Sequence, residues 1–128
     1  MTTRELLDNY YEGFARKEGW EAFLSDDFKY VGGDMTNTTP QVGKAAYIDV
    51  IKRFSRLYQT MRVKEMVIMG DRAFVLANYD YVFPHGQAVN GDVAELWHVK
   101  DGKLDALRIF FDTHTLLRHV GVEAKRKQ

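Results

Sequence analysis

The sequence predicts an α+β fold in which helices come first and an antiparallel sheet follows. Apolar residues recur at helical spacing over two N-terminal stretches, and from about residue 61 four β-rich runs alternate with short turn signals. The bulk composition agrees. A chain of 128 residues that is 45% hydrophobic and 13% aromatic has enough apolar mass for one packed domain over residues 1–128.

Thr2 and Glu5 are spaced as a capping box, and Leu6, Leu7, Tyr10, Tyr11 and Phe14 follow on one stripe, which predicts a helix over 3–17. Trp20, Phe23 and Leu24 predict a short second helix. Asp26-Asp27 then leads into the alternating run Phe28-Lys29-Tyr30-Val31, a strand ended by Gly32-Gly33. The Gly-, Thr-, Asn- and Pro-rich stretch 32–43 reads as a loop long enough to act as a lid. Tyr47, Ile51, Phe54 and Tyr58 stand at helical intervals and predict an amphipathic helix over 44–58, with Tyr47 and Phe54 as pocket wall and core. Strands are expected over 61–69, 72–83, 91–100 and 103–112, and the short turns between them make the sheet antiparallel. Residues 113–120 read as a final short helix, followed by the charged tail EAKRKQ.

The last hairpin carries the most information. If Asp101-Gly102 is a two-residue turn, Lys100 faces Lys103, and the pairs Val99 with Leu104, Trp97 with Ala106, Glu95 with Arg108 and Val93 with Phe110 share one face. Glu95 and Arg108 then stand on an otherwise apolar wall with Trp97 and Phe110. Burial drives such a carboxyl toward its neutral form and a neighbouring guanidinium drives it back; the pair is either a structural ion pair or a pocket acid with its partner. The opposite face pairs His98 with Asp105 and Leu96 with Leu107 and is also largely apolar. Two covered faces predict helices on one side and a second copy of the chain on the other, a homodimer through the outer sheet face. Asp112 either follows into the pocket or caps the next helix. Asn78 points to the pocket or to a solvent-facing edge.

Several functions are excluded or disfavoured. Eighteen basic residues balance eighteen acidic ones, which removes the field that a nucleic-acid or anionic-membrane partner would need. Without cysteine there are no disulfides or thiolate sites, and the four histidines lack metal-ligand spacing, so neither a metal nor another cofactor is expected. No apolar run is long enough for a membrane span, which places the chain in the cytoplasm.

The segments YYEGF, LSDDF, VAELWHVKDGKLDALRIFFD and TLLRHVG, in this order, resemble nuclear transport factor 2-like proteins, especially the SnoaL-like polyketide cyclase and ketosteroid isomerase-like branches. The resemblance covers nearly the whole chain. It implies a cone-shaped curved antiparallel sheet closed by N-terminal helices around a pocket, a cystatin-like roll. It also implies an isomerase, cyclase or related lyase acting on a small apolar carbonyl compound by acid/base proton transfer, or a non-catalytic dimeric ligand-binding module of the same fold. Tyr10 matches the isomerase tyrosine that donates to the substrate oxyanion, and Glu95 its neutral carboxylic acid, an aspartic acid there. The isomerase base falls nearest Gly32 or Gly33, with Asp34 close by, whereas Asp112 matches the acid/base aspartate of the cyclases.

Overall fold

Helix α1 (Thr3–Arg16) starts where the capping box predicts. The Thr2 side chain accepts from the Glu5 amide at 3.1 Å, and the Glu5 carboxylate accepts from the Thr2 amide at 3.0 Å. The helix ends at Lys17, whose φ of 60° is left-handed, and the Lys17 and Glu18 amides return to the carbonyls of Phe14 and Gly13. The computed structural model describes residues 1–32 and 39–111. Asp34, Asp112, the helix expected over 113–120 and the charged tail lie outside the described residues.

After a short 3-10 turn (Trp20–Phe23) come β1 (Leu24–Val31), the two-residue β2 (Gln41–Val42), α2 (Lys44–Phe54), β3 (Tyr58–Met69), β4 (Arg72–Val82), β5 (Ala88–Lys100) and β6 (Lys103–Phe110). The six strands form one curved, unclosed sheet in the order β2-β1-β6-β5-β4-β3. Strands β3 to β6 are antiparallel neighbours, but β1 joins β6 in parallel, so the sheet is mixed rather than purely antiparallel. The helix expected over 44–58 stops at Phe54. Lys17 Nζ donates to the carbonyls of Ser55 and Tyr58 at 2.6 and 2.7 Å, which satisfies groups at the helix end and releases Tyr58 into β3.

The core lies between the helices and one face of the sheet. Leu6, Leu7, Tyr10 and Phe14 of α1 and Tyr47 of α2 are buried with Phe28, Val75, Ala77, Trp97, Leu104 and Leu107 of the strands. Gly13 lets α1 meet the following turn: a Cβ there would stand 2.7 Å from the Glu18 carbonyl oxygen and 2.9 Å from the Trp20 nitrogen. Both obstacles are backbone and cannot swing aside. Gly13→Ala is therefore expected to cost about 1–3 kcal/mol as overpacking, read as a lower urea midpoint with an unchanged slope.

The Asp101-Gly102 turn forms as expected, with φ of 53° and 74°, and Lys100 faces Lys103 and Val99 faces Leu104. Beyond these two pairs the register departs from the expected one. His98 pairs with Ala106 and not with Asp105, because Asp105 is an extra residue in β6, a bulge. Its carboxylate accepts from Ser25 Oγ at 2.9 Å and from Lys29 Nζ at 3.3 Å, tying the bulge to β1, while His98 Nε2 lies 3.3 Å from Asp71. A one-residue shift inverts every later side chain in β6 relative to β5. Trp97 therefore faces Leu107, Glu95 faces Ile109, and Arg108 stands opposite Leu96.

Candidate active site

The helices and the inner face of the sheet enclose a cavity of about 210 Å³ lined by Phe14, Tyr30, Tyr47, Phe54, Tyr79, Val93, Glu95, Ile109 and Phe111, among others. Among the described residues its wall is aromatic and aliphatic, with one ionisable carboxyl, that of Glu95. Alternation explains the placement. In β4 the residues Ala73, Val75, Ala77 and Tyr79 turn inward, and β5 adds Val93, Glu95 and Trp97 opposite them.

Glu95 is 3% exposed. Desolvation raises its pKa to about 7, and a hydrogen bond from Tyr11 opposes the rise. The Tyr11 hydroxyl lies 3.0 Å from Glu95 Oε1 and 2.8 Å from the indole Nε1 of Trp97. Beside this chain the hydroxyls of Tyr10 and Tyr47 lie 2.7 Å apart. Burial raises the pKa of Tyr10, Tyr11, Tyr47 and Tyr79 well above that of a free phenol, and the charge of Glu95 adds to each shift, so these groups stay neutral when Glu95 ionises.

Of the residues singled out in the sequence that are described, the structure brings Glu95, Tyr47 and Phe54 to the cavity wall and leaves Tyr10, Trp97, Arg108, Phe110 and Asn78 off it. Arg108 is not opposite Glu95: the Asp105 bulge turns it to the outer face, where its guanidinium lies 5.3 Å from the ring centroid of Phe110, itself 46% exposed. Asn78 also points away from the cavity. It hydrogen-bonds Arg62, Asn90 and Asp92 in a polar cluster on the outer face, which also holds Asp80 with a pKa lowered to about 2 by hydrogen bonds from Thr60, Asn90 and Arg62. Tyr10 is buried behind Tyr47 and does not line the cavity; Trp97 lies behind Glu95 and reaches it only through Tyr11. Tyr11, Tyr30 and Tyr79 were not legible as site residues. Tyr11 shares the core stripe of α1, and Tyr79 is hidden between Asn78 and Asp80. The available signal was the alternation Val75, Ala77, Tyr79, the more apolar of the two sets in β4.

A larger trough of about 590 Å³ crosses the outer face, lined by Val67, Met69, Phe74, Leu96 and Arg108 among others. The inner cavity is the better candidate for chemistry, because among the described residues its wall holds Glu95, a buried carboxyl raised toward neutrality.

These features define a nuclear transport factor 2-like fold, and solved structures agree. The chain superposes with a TM-score of 0.78 on TerC, co-crystallised with polyporic acid, at 20% identity over 93% of this chain and 98% of TerC. A protein from Jannaschia sp. named a SnoaL-like polyketide cyclase gives 0.79 at 17% identity over 91% and 90% of the two chains. An NTF2-like protein from Burkholderia thailandensis gives 0.81 at 16% identity over 94% and 98%. At these identities the likeness is one of fold. The chain belongs to the SnoaL-like domain family, whose profile matches residues 7–107. Among curated proteins none is a significant match. No helix among the described residues is long and apolar enough to cross a membrane.

Proposed function

We propose that this SnoaL-like chain, as one domain over residues 1–128 and a cytoplasmic homodimer, binds a small, largely apolar carbonyl compound in the inner cavity and moves a proton on and off its α-carbon. Such a step serves an isomerase, a cyclase or a related lyase and needs no cofactor. The observation that carries this reading is Glu95, a buried carboxyl on an apolar cavity wall with a pKa of about 7. A group half ionised at neutral pH can both take a proton and return it. The Glu95 carboxylate takes the α-proton, the C–H electron pair becomes the enolate double bond, and the carbonyl π pair moves onto oxygen. The Tyr47 phenol donates to that oxygen, with Tyr10 behind it as a positioning group. Asp112, next to the cavity-lining Phe111, is the alternative base, and Asp34 a further one. The cavity, about 210 Å³ and lined mainly by aromatic and aliphatic side chains, suits a small apolar ring compound. The ligand named for TerC and the cyclase name carried by the Jannaschia protein are in keeping with a small organic substrate.

The test is exchange of α-protons of small cyclic ketones in deuterated water. Wild type is expected to catalyse it, with a rate that follows a titration near pH 7, and Glu95→Gln to lose at least about 100-fold. Undiminished exchange by Glu95→Gln with loss in Asp112→Asn would move the base to Asp112. The commitment of the Tyr10 hydroxyl to Tyr47 favours a second reading, a ligand-binding module. Native mass spectrometry showing a retained, chemically unchanged compound, together with no exchange of any ketone, would select it.

The outer face supports the dimer. Val67, Met69, Leu96 and Phe110 are exposed together across β3, β5 and β6, an apolar patch of the kind that marks an interaction surface. The chain has no net charge, so two copies meet without long-range repulsion.

A further inference from the structure

We propose that Trp97 and Tyr11 form a polarised positioning relay that confines the exchangeable proton of Glu95 to one oxygen, Oε2. This rests on reading Glu95 as the proton-transfer group and names the atom that does the transfer. The argument is one of donor and acceptor inventory. An indole N–H only donates, so at 2.8 Å the Tyr11 oxygen must accept from Trp97. The phenol has a single hydrogen, and the acceptor within reach is Glu95 Oε1 at 3.0 Å. The alternative has a protonated Oε1 donating to Tyr11. The phenol oxygen would then receive two donors, and its own hydrogen would have no acceptor in a buried site.

The chain therefore runs in one direction, from Trp97 to Tyr11 to Oε1, and the donor-only indole sets that direction. In neutral Glu95 the proton sits on Oε2. In the anion Oε1 is held by Tyr11, and among the described residues nothing donates to Oε2. Oε2 is thus the atom left to meet a ligand. The groups facing Glu95 do not compete. Tyr10 and Tyr11 from α1, Tyr30 from β1, Tyr47 from α2, and Tyr79 and Tyr81 from β4 are phenols kept neutral by burial, with the Glu95 charge adding to the shift in each. Tyr11 and Trp97 touch no ligand in this scheme. They act through Glu95.

The experiment follows the Glu95 carboxyl directly, by carbon-13 NMR of the labelled side chain and by the infrared carbonyl band of its neutral form, across pH 4–9. Tyr11→Phe is expected to raise the Glu95 pKa by roughly one unit, a tenfold change in proton affinity, because the anion loses its donor. Trp97→Phe leaves Tyr11 and Glu95 in place but removes the direction of the relay. It is expected to shift the carbonyl band and raise the pKa, while Leu104→Val, an equally buried change whose ladder partners are Leu24 and Val99, moves neither. A folded Trp97→Phe with a wild-type titration and band would overturn the proposal, as would a folded Tyr11→Phe with an unchanged pKa. These readouts need no substrate. Failure of ketone exchange with an intact relay would sink only the catalytic reading, and exchange with a failed relay only this one.

Discussion

Replacing Glu95 by Gln is expected to make the protein more stable, not less, above pH 7. The carboxyl has a folded pKa of about 7 against 4.5 for the free group, so between these values the folded state binds more protons than the unfolded one. Stability therefore falls as pH rises through this window, by an amount on the order of 3 kcal/mol, and levels off above it. Gln keeps an oxygen to accept from Tyr11 and never carries the charge. Urea midpoints for wild type should decline from pH 4.5 to 7.5, whereas those of Glu95→Gln should stay level. Other shifted carboxylates do not obscure the window. Glu5, Asp80, Asp92 and Asp105 have lowered values, so what they add is complete above the ordinary carboxylate range and is lost only as the pH falls below it. Parallel curves for the two proteins would mean that Glu95 is ionised throughout and is not the neutral-pH acid and base argued for above.

The second large effect is expected from Leu96→Asp on the outer face. Leu96 is 45% exposed, lies between Phe74 of β4 and Arg108 of β6, and belongs to the apolar trough. Its side chain makes no part of the inner core, so the fold should survive the change. Burying two new carboxylates, one from each copy, across a two-fold contact is severely unfavourable. Sedimentation should show wild type as a dimer and Leu96→Asp as a monomer with an unchanged circular dichroism spectrum. A wild type that stays monomeric at high concentration would remove the dimer from the proposal.

Much of this architecture was legible because local rules and tertiary structure agree. The capping box at Thr2, the apolar stripe of α1, the turn at Asp101-Gly102 and the order of elements all follow from short-range chemistry. Glu95 stood out for a similar reason, a carboxylate within an alternating apolar strand. What escaped was the placement of its neighbours. The alternation rule carries no information about an inserted residue, and no glycine stands at or beside Asp105 to mark the bulge, which is held by Ser25 and Lys29 from a strand eighty and seventy-six positions away. Arg108 and Phe110 therefore stand on the face opposite to the one alternation predicts. Tyr11 was hidden for another reason. Its hydroxyl meets Glu95 only when α1 lies across β5, a contact between residues far apart in the chain.

The bulge at Asp105 also gives β6 something like a reading frame. The sheet has two phases, inward and outward, and Asp105 is a frameshift that sets which of them every later residue of the strand obeys. Losing or gaining one residue after position 105 exchanges the phases, sending Arg108 and Phe110 toward the cavity and Ile109 out of it. Losing or gaining two preserves them. Length variation in this strand is thus constrained by parity, and the apolar character of the cavity wall opposite Glu95 depends on an odd residue that never touches it.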